Sequence, residues 1–418
     1  MSRPRLLFLC QTLPFPPDGG VNIRTFNILR ELAREYDIDA LCFYRRSDRR
    51  SADAVAAGVA GLAPYARVEA FAIPQEYSRP RYVWDHLRSV TRARPYTAYA
   101  MDAADFHAAL RRRLAAGSYA LAHVDSLDLV AYLPELQSLP VACTHHNIES
   151  QLLRRRAAIA GVTPVGAYLW LQARLTAAAE RRWAPAVALN VVVSPADEIE
   201  LRRLAPNART LVIPNGVDLD YFTPGSGPQH GLVFVGGSNW FPNKDALGYF
   251  AREVLPLVRA RHADLPVTWV GHASPEDQAE FGSRYGITMT GYVDDVRPYV
   301  RGAACYVVPL RVGGGTRLKV VDAWAMGEAM VTTPQGCEGL AAEHGVNAMI
   351  ADTPQAFADA ITAVLSDPEF AGSLGRRGRE LVKAQYGWES LGTRLLASYR
   401  SLTGRGSPAL ERQPVHPR

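Results

Sequence analysis

The sequence lacks several features that would place it in a common class at once. It has no apolar run of about 18 residues, so no segment is long enough for an ordinary transmembrane helix. Its five cysteines are odd in number and none lies in a Cys-x-x-Cys pair, which argues against a disulfide framework or a zinc knuckle. The dinucleotide fingerprint Gly-x-Gly-x-x-Gly is also missing, which disfavours a Rossmann dehydrogenase.

Lysine is scarce as well. The chain of 418 residues has 46 basic side chains and a formal net charge of +5, yet its lysines are Lys244, Lys319 and Lys383 alone. The first 225 residues carry the whole surplus as arginine, and the remainder is neutral. A surplus this small is not a nucleic-acid signature. It suits an anionic acceptor, a membrane surface or ordinary solvated helix faces.

What the sequence does contain is a repeated alternation of strands and helices. Arg5–Cys10 is a continuous apolar run, typical of a parallel strand buried on both faces. A proline- and glycine-rich loop, a helical pattern over Asn22–Glu35 and a second strand over Asp37–Tyr44 complete a βαβ unit. The alternation starts again after the turn-rich segment Pro214–Gly227. The sequence therefore predicts an α/β protein with two Rossmann-like domains.

We expect an N-terminal domain over residues 1–222 and a C-terminal domain over 228–386. Residues 387–403 are predicted to form a helix that returns to the N-terminal domain, and 404–418 a disordered tail. Doubly wound domains place ligands at the carboxyl ends of their strands and between domains, so a deep interdomain cleft is expected.

Two glycine-rich turns could hold phosphate. Gly19 and Gly20 lie between the first strand and the first helix, where backbone amides and the helix N-terminus favour an anion. A tight strand–helix turn explains this first loop equally well. In the second loop, Gly313–Thr316 precedes a helix that carries Arg317 and Lys319 in its first turn. Cations there oppose the helix dipole, which an anionic ligand would offset.

Polar side chains accompany these loops. Asp322 lies about one turn into the second helix, where a carboxylate can accept hydrogen bonds from a ribose diol, although it could also be an ordinary surface acid. His145 and His146 follow a predicted strand. Adjacent residues on a strand point to opposite faces, so a metal pair is disfavoured and we expect one histidine to face the ligand. A structural histidine is the alternative.

On these residues the chain resembles the family 4 glycosyltransferases of the GT-B fold, along about Arg3–Leu402. Stretches in both predicted domains carry the resemblance: Gly19-Gly20, Thr144-His145-His146, Val212–Asp218, Gly291–Val293 and Asp322–Val331. Two departures stand out. Gly314 occupies the place of a glutamate that contacts the donor sugar in the family, and the basic residue that usually follows the first strand of the C-terminal domain is absent.

The resemblance implies retaining sugar transfer from a nucleoside-diphosphate sugar (a UDP-, GDP- or dTDP-sugar) with no metal and no further cofactor. It assigns catalytic roles to His146, Arg317 and Lys319, the last two in place of the missing basic residue. The donor-binding residues implied are Gly19, Gly20, Lys244, Val293, Gly314, Gly315, Thr316, Asp322 and Glu338.

The resemblance further implies assembly of a polysaccharide, a glycolipid or a natural product in the cytoplasm or at the inner face of the membrane. The acceptor would be a small molecule, a lipid-linked molecule or a glycan, and no nucleic acid is expected. The aromatic and basic segment Arg79–Arg94 suits peripheral membrane contact or an ordinary surface helix. Two other functions stay open: a nucleotide-sugar epimerase or hydrolase of the same fold, and a non-catalytic binding protein.

Overall fold

The computed structural model describes residues 3–17, 20–46, 51–312 and 317–404. The chain divides into two compact units. Unit 1 comprises Met1–Pro214 together with Gly392–Arg418, and unit 2 comprises Asn215–Leu391.

Unit 1 contains a sheet of seven parallel strands in the order β3-β2-β1-β4-β5-β6-β7. The order reverses at β1, so the carboxyl ends of β1 and β4 flank a switch point of the kind that binds ligands in such sheets. The strands are β1 Arg5–Cys10, β2 Asp37–Tyr44, β3 Ala66–Ala72, β4 Leu121–Val124, β5 Val141–Thr144, β6 Leu189–Val192 and β7 Thr210–Val212.

The helices of unit 1 connect these strands, and four of them begin with a serine or threonine N-cap. Between two of them the chain turns at residues 161–163, because one helix ends at Ala160 and the next begins at Pro164. The α-helices are α1 Gly20–Leu32, α2 Ala52–Leu62, α3 Arg79–Thr91, α4 Thr97–Ala100, α5 Ala104–Ala115, α6 Glu149–Ala160, α7 Pro164–Trp183 and α8 Pro195–Leu204. Pro74–Tyr77 and Leu127–Leu136 are 3-10 helices.

Unit 2 contains six parallel strands in the order β10-β9-β8-β11-β12-β13, so its switch point lies between β8 and β11. The strands are β8 Leu232–Val235, β9 Val267–Val270, β10 Ile287–Met289, β11 Cys305–Val308, β12 Met330–Thr332 and β13 Met349–Ile350. The helices are α9 Phe241–Tyr249, α10 Leu255–Arg259, α11 Pro275–Asp277, α12 Arg297–Arg301, α13 Leu318–Ala325, α14 Pro354–Ser366 and α15 Pro368–Gln385. Phe250–Val254 and Gln278–Ser283 are π-helical, and Gln335–Cys337 is a 3-10 helix.

The last helix is α16, Trp388–Leu402. Its residues from Gly392 onward belong to unit 1. There the Tyr399 hydroxyl lies 2.7 Å from His123 Nδ1, and the Arg400 guanidinium makes two hydrogen bonds of 3.0 Å to the Glu35 carboxylate. These bonds fix the second half of α16 to the first doubly wound unit. Within the described ranges, no helix is both long and apolar enough to span a bilayer.

Helix α13 is held firmly in the core of unit 2. The Trp324 side chain is fully buried, and its indole N–H donates to the Asn347 carbonyl at 2.8 Å. Helix α15 packs so closely here that a Cβ on Gly378 would lie 2.3 Å from the Trp324 ring. Because one face of α13 is immobilised in this way, the residues at its N-terminus have a fixed position relative to the sheet.

Candidate functional site

The switch point of unit 2 is shaped by the turn that follows β8. Gly236 has a positive φ of 155°, and a Cβ there would lie 2.7 Å from Asn243 Nδ2 and 2.9 Å from Lys319 Nζ. Asn243, at the start of α9, closes the turn by donating to the Gly237 carbonyl at 2.9 Å. The backbone therefore approaches the side chains of two helices as closely as glycine allows.

Lys319 reaches across to this turn from α13. Its ammonium donates to Asn243 Oδ1 at 2.8 Å and lies 4.4 Å from the centre of the Phe234 ring, at the end of β8. Burial, and then the nearby Arg317 charge, lower the pKa of the Lys319 ammonium to about 7. Lys319 is one of the two cations predicted to replace the missing basic residue. It lies directly beside the turn after β8, where that basic residue is absent.

Arg317 immediately precedes α13, whose first turn contains no acid. Its side chain is only 6% exposed, and burial lowers the pKa of its guanidinium. Glu338 Oε2 lies 3.6 Å from Arg317 Nη2, on a carboxylate that is itself largely exposed and accepts a hydrogen bond of 2.7 Å from Gln335. A buried guanidinium, a buried ammonium and a helix N-terminus together make a strongly anion-seeking site.

Asp322 lies one turn further along α13 and is half-buried. Burial raises the pKa of its carboxyl to about 7, and no ion pair joins it to any cation of the described ranges. Hydrogen bonds from hydroxyl groups, such as those of a ribose diol, stabilise the charged form of a buried carboxylate that has no ion-pair partner.

The remaining residues predicted to bind the donor are Lys244, Val293 and the residues of the two glycine-rich turns. Lys244 lies in α9, half exposed, and donates to Asp277 at 2.8 Å, which raises the pKa of its ammonium. Val293 is partly buried and packs against the apolar core of unit 2. Gly19, Gly314, Gly315 and Thr316 lie outside the described residues, whereas Gly20 is the exposed first residue of α1.

The switch point of unit 1 carries a second polar cluster, centred on Asp125 after β4. Asp125 is fully buried, and its two oxygens lie 3.0 and 2.9 Å from the Thr25 hydroxyl, which donates to them from α1. His146 Nε2 lies 3.3 Å from Asp125 Oδ1. Neighbouring Arg24 is also buried, which lowers the pKa of its guanidinium to about 10 against the opposing attraction of Asp125. The cluster gives His146 a fixed acidic neighbour.

The two adjacent histidines have different partners. His145 Nε2 lies 2.9 Å from Asn190 Oδ1 on β6, and burial lowers the pKa of its imidazole to about 4. His146 turns the other way, towards the end of β4. His145 is therefore a neutral structural side chain. In the described ranges no group of three or more His, Cys, Asp or Glu is placed to hold a metal ion.

A small cavity of about 20 Å³ lies beside His146. Three acids line it, Asp128, Glu149 and Glu180, and burial raises the pKa of each carboxyl, that of Glu149 to about 7. The cavity holds about one water molecule, so it is too small for a sugar. The sequence did not point to Asp125, Asp128 or Glu180. Asp125 and Asp128 follow closely on the end of β4, the kind of position at which the histidines were recognised, whereas Glu180 lies near the end of α7.

The chain has two doubly wound units. One switch point carries an anion-seeking helix N-terminus, and the other carries a histidine–carboxylate cluster. These features are typical of the GT-B class of sugar-transferring enzymes. The family described as Glycosyltransferase Family 4 matches residues 18–221, and the family described as Glycosyl transferases group 1 matches residues 229–367. The chain belongs to these family 4, group 1 glycosyltransferases.

Solved structures show the same fold. The sucrose-phosphate synthase of Thermosynechococcus elongatus is 20% identical, with a TM-score of 0.66 over 96% of this chain and 99% of that chain. The Anabaena protein HepE in complex with UDP is 13% identical, with a TM-score of 0.63 over 95% and 100%. A Rickettsia africae glycosyltransferase is also 13% identical, with a TM-score of 0.61 over 96% and 99%. No curated protein matches the sequence.

Proposed function

We propose that this glycosyltransferase takes its sugar from a nucleoside diphosphate bound at the switch point of unit 2 and transfers it to an acceptor hydroxyl with retention of the anomeric configuration. The observation that carries the proposal is the pair of buried cations, Arg317 and Lys319, at the N-terminus of α13. Burial disfavours the charged form of both side chains in the ligand-free protein and lowers both pKa values, and a diphosphate stabilises those charged forms. HepE in complex with UDP, and in a further structure with UDP-glucose, supports this class of donor.

Each residue has a proposed part in the reaction. Arg317 and Lys319 stabilise the charge that develops on the leaving diphosphate, which makes a metal unnecessary for that step. Asp322 accepts hydrogen bonds from the ribose. Val293 lies against the base, and Glu338 and the amides of Gly314, Gly315 and Thr316 contact the sugar or the phosphates.

On unit 1 we assign the acceptor to the cluster around His146, which orients a hydroxyl. Gly20, at the first turn of α1, presents a helix N-terminus to an anion, and Gly19 shares this proposed role. In a retaining front-face reaction the leaving phosphate oxygen takes the proton of the attacking hydroxyl as the new glycosidic bond forms. No side chain is then required as a general base.

The proposal predicts both binding and turnover. One of UDP, GDP, dTDP and ADP should stabilise the protein by about 2.7 kcal/mol at a hundredfold excess over its Kd, as measured by thermal unfolding. The sugar of the corresponding radiolabelled donor should then appear on a lipid-linked, glycan or small-molecule acceptor, with its anomeric configuration retained in NMR spectra. Interconverted free donor would instead identify an epimerase. Binding without turnover on any acceptor would identify a binding protein.

The turn after β8 offers a second prediction. In Gly236→Ala the new methyl group would collide with Asn243 and displace Lys319. We expect the Kd of the nucleoside diphosphate to rise about tenfold, on the scale of a small misplacement of a binding group. The free energy of unfolding should fall by about 1–3 kcal/mol from overpacking. Calorimetric titration and urea unfolding measure the two effects.

The matched control is Gly282→Ala, in the same unit, where the nearest heavy atom to a new Cβ is 3.6 Å away. That variant should change neither quantity appreciably. A Gly236→Ala protein that binds the diphosphate as tightly as this control would separate the turn from the donor site.

A further inference from the structure

Helix α3 has an inverted pattern of burial. Its two buried residues, Asp85 and Ser89, are polar and fully enclosed. Its outward side is apolar, with Leu87 52% exposed and Trp84 58% exposed. The exposed apolar residues of this helix are Tyr82, Val83, Trp84, Leu87 and Val90. Positions 83, 87 and 90 follow helical spacing, so they form a continuous stripe on the surface.

The buried polar side fixes this orientation. The Asp85 carboxylate accepts two hydrogen bonds of 2.9 and 2.8 Å from Arg81 and lies 3.5 Å from Arg88. The Ser89 hydroxyl donates to the Arg94 carbonyl at 2.7 Å and accepts from Gln172, on α7, at 2.8 Å. Rotating the apolar stripe inward would break all of these buried bonds, so its exposure is built into the fold.

A second apolar surface lies next to α3. The hairpin of α6 and α7 exposes Ile159, Val162 and Val165 around its tip. His86 of α3 lies 2.5 Å, through its Nδ1, from the hydroxyl of Tyr168, which is one turn from the start of α7. The hydrogen bond places α3 beside the hairpin tip. We call the two surfaces together the α3–hairpin face.

Arginines outnumber acids in the segments that form this face. Residues 77–101 contain five arginines and a single acid, the buried Asp85, and residues 150–179 contain four arginines and no acid. Arg79, Arg92 and Arg94 are exposed at the two ends of α3, and none of them pairs with a carboxylate of the described ranges. Trp84 and Trp170, both more than half exposed, add aromatic rings of the kind found at lipid–water interfaces.

We propose that the α3–hairpin face docks on a bilayer containing anionic phospholipids. The apolar side chains enter the interfacial layer, the tryptophans lie at headgroup level, and the arginines contact lipid phosphates. In this mode of binding the face lies on the membrane surface. This inference concerns unit 1 alone and does not depend on the proposed donor or on turnover.

The apolar contribution is tested with the full chain and sedimented vesicles of phosphatidylcholine, with and without phosphatidylglycerol. Wild type should sediment with the anionic vesicles. Val83→Ser/Leu87→Ser should lower the partition coefficient by at least about tenfold, because two apolar side chains no longer leave water. The matched control is Ile199→Ser on α8, where the native side chain is 69% exposed. It should partition as wild type.

The charge contribution is tested in the same assay. Arg92→Ala/Arg94→Ala should lower partitioning on anionic vesicles about 25-fold, since each arginine near such a surface contributes about fivefold. Arg376→Ala/Arg377→Ala removes the same charge from exposed positions on α15 in unit 2 and should change partitioning less than about twofold. Raising the salt concentration should weaken the wild-type interaction.

Three results would overturn the proposal. Wild type that stays in solution with anionic vesicles would do so directly, as would equal partitioning of Val83→Ser/Leu87→Ser and Ile199→Ser. The third result is a sedimentation coefficient, measured without vesicles, that is lower for Val83→Ser/Leu87→Ser than for wild type, because it would show that a second copy covers the face. Thermal unfolding of each variant checks that the fold is intact, and it should match wild type because the substituted residues are exposed.

Discussion

Arg317→Ala is expected to lower the turnover number of sugar transfer by about 100- to 1,000-fold, the loss found when one pre-positioned donor to a developing negative charge is removed. The charge on the diphosphate increases as its bond to the sugar breaks, so the guanidinium acts more strongly on the transition state than on the bound donor. The KM of the donor should therefore change much less than kcat. Steady-state kinetics with the cognate donor separates the two constants.

Two variants make this result specific. Arg311→Ala removes an exposed arginine six residues earlier, which pairs with Asp245 at 2.8 Å and lies over the Tyr249 ring. Its kcat should stay within about twofold of wild type, as expected for an exposed ion pair. Arg317→Lys keeps the charge but loses the planar fork, so its kcat should lie between those of wild type and Arg317→Ala. Near-normal turnover in Arg317→Ala would remove Arg317 from the site.

Strands could be predicted closely, because a parallel strand buried on both faces is a short apolar run. The runs Arg5–Cys10 and Asp37–Tyr44 form strands β1 and β2 with those bounds. The helix predicted to carry Arg317 and Lys319 in its first turn begins after Arg317, at Leu318, and ends at Ala325. Arg317 has a ψ of 60°, which is not helical, and Gly327 has a positive φ of 77°, so both ends stop where the backbone leaves the helical region.

Side-chain partners distant in sequence could not be predicted. Lys319 and Asn243 are 76 residues apart, and only the folded sheet brings α13 beside the start of α9. Asp125 and His146 meet because β4 and β5 are neighbours, a pairing that the order of the strands in the sequence leaves open. For Arg79–Arg94 the sequence left open peripheral membrane contact and an ordinary surface helix; the helix α3 that forms there exposes its apolar residues and buries polar ones. A rule that expects apolar residues inside cannot say which face of such a helix is buried.

The other large effect expected is on the pH dependence of diphosphate binding. In the ligand-free protein the pKa of Lys319 is about 7, so at pH 8 most molecules carry a neutral amine there. A bound diphosphate favours the charged form and raises this pKa. Binding at pH 8 should therefore take up about one proton, and the affinity should fall by up to about tenfold for each pH unit above 7. Below pH 7 the ammonium is already charged and this dependence should disappear.

Titration calorimetry at pH 8, in buffers of different ionisation enthalpy, counts the protons. Asp322 contributes little at this pH, because a carboxyl with a pKa of about 7 is mostly ionised before and after binding. Lys244→Ala is the control: Asp277 raises the pKa of the Lys244 ammonium, so that lysine is charged in both states and the variant should keep the proton uptake. Lys319→Arg should abolish it, because a guanidinium stays charged throughout.

The number of protons taken up also shows whether both Arg317 and Lys319 are charged when the diphosphate is bound. Uptake that disappears in Lys319→Arg would mean that Lys319 gains its charge only with the diphosphate, which spares the ligand-free protein the burial of two cations side by side. Binding at pH 8 without proton uptake would show that Lys319 stays neutral in the complex and serves as a hydrogen-bond donor. Arg317 would then carry the full positive charge at the start of α13. In that case Lys319→Ala should lower kcat far less than Arg317→Ala, whereas a shared role predicts losses of similar size.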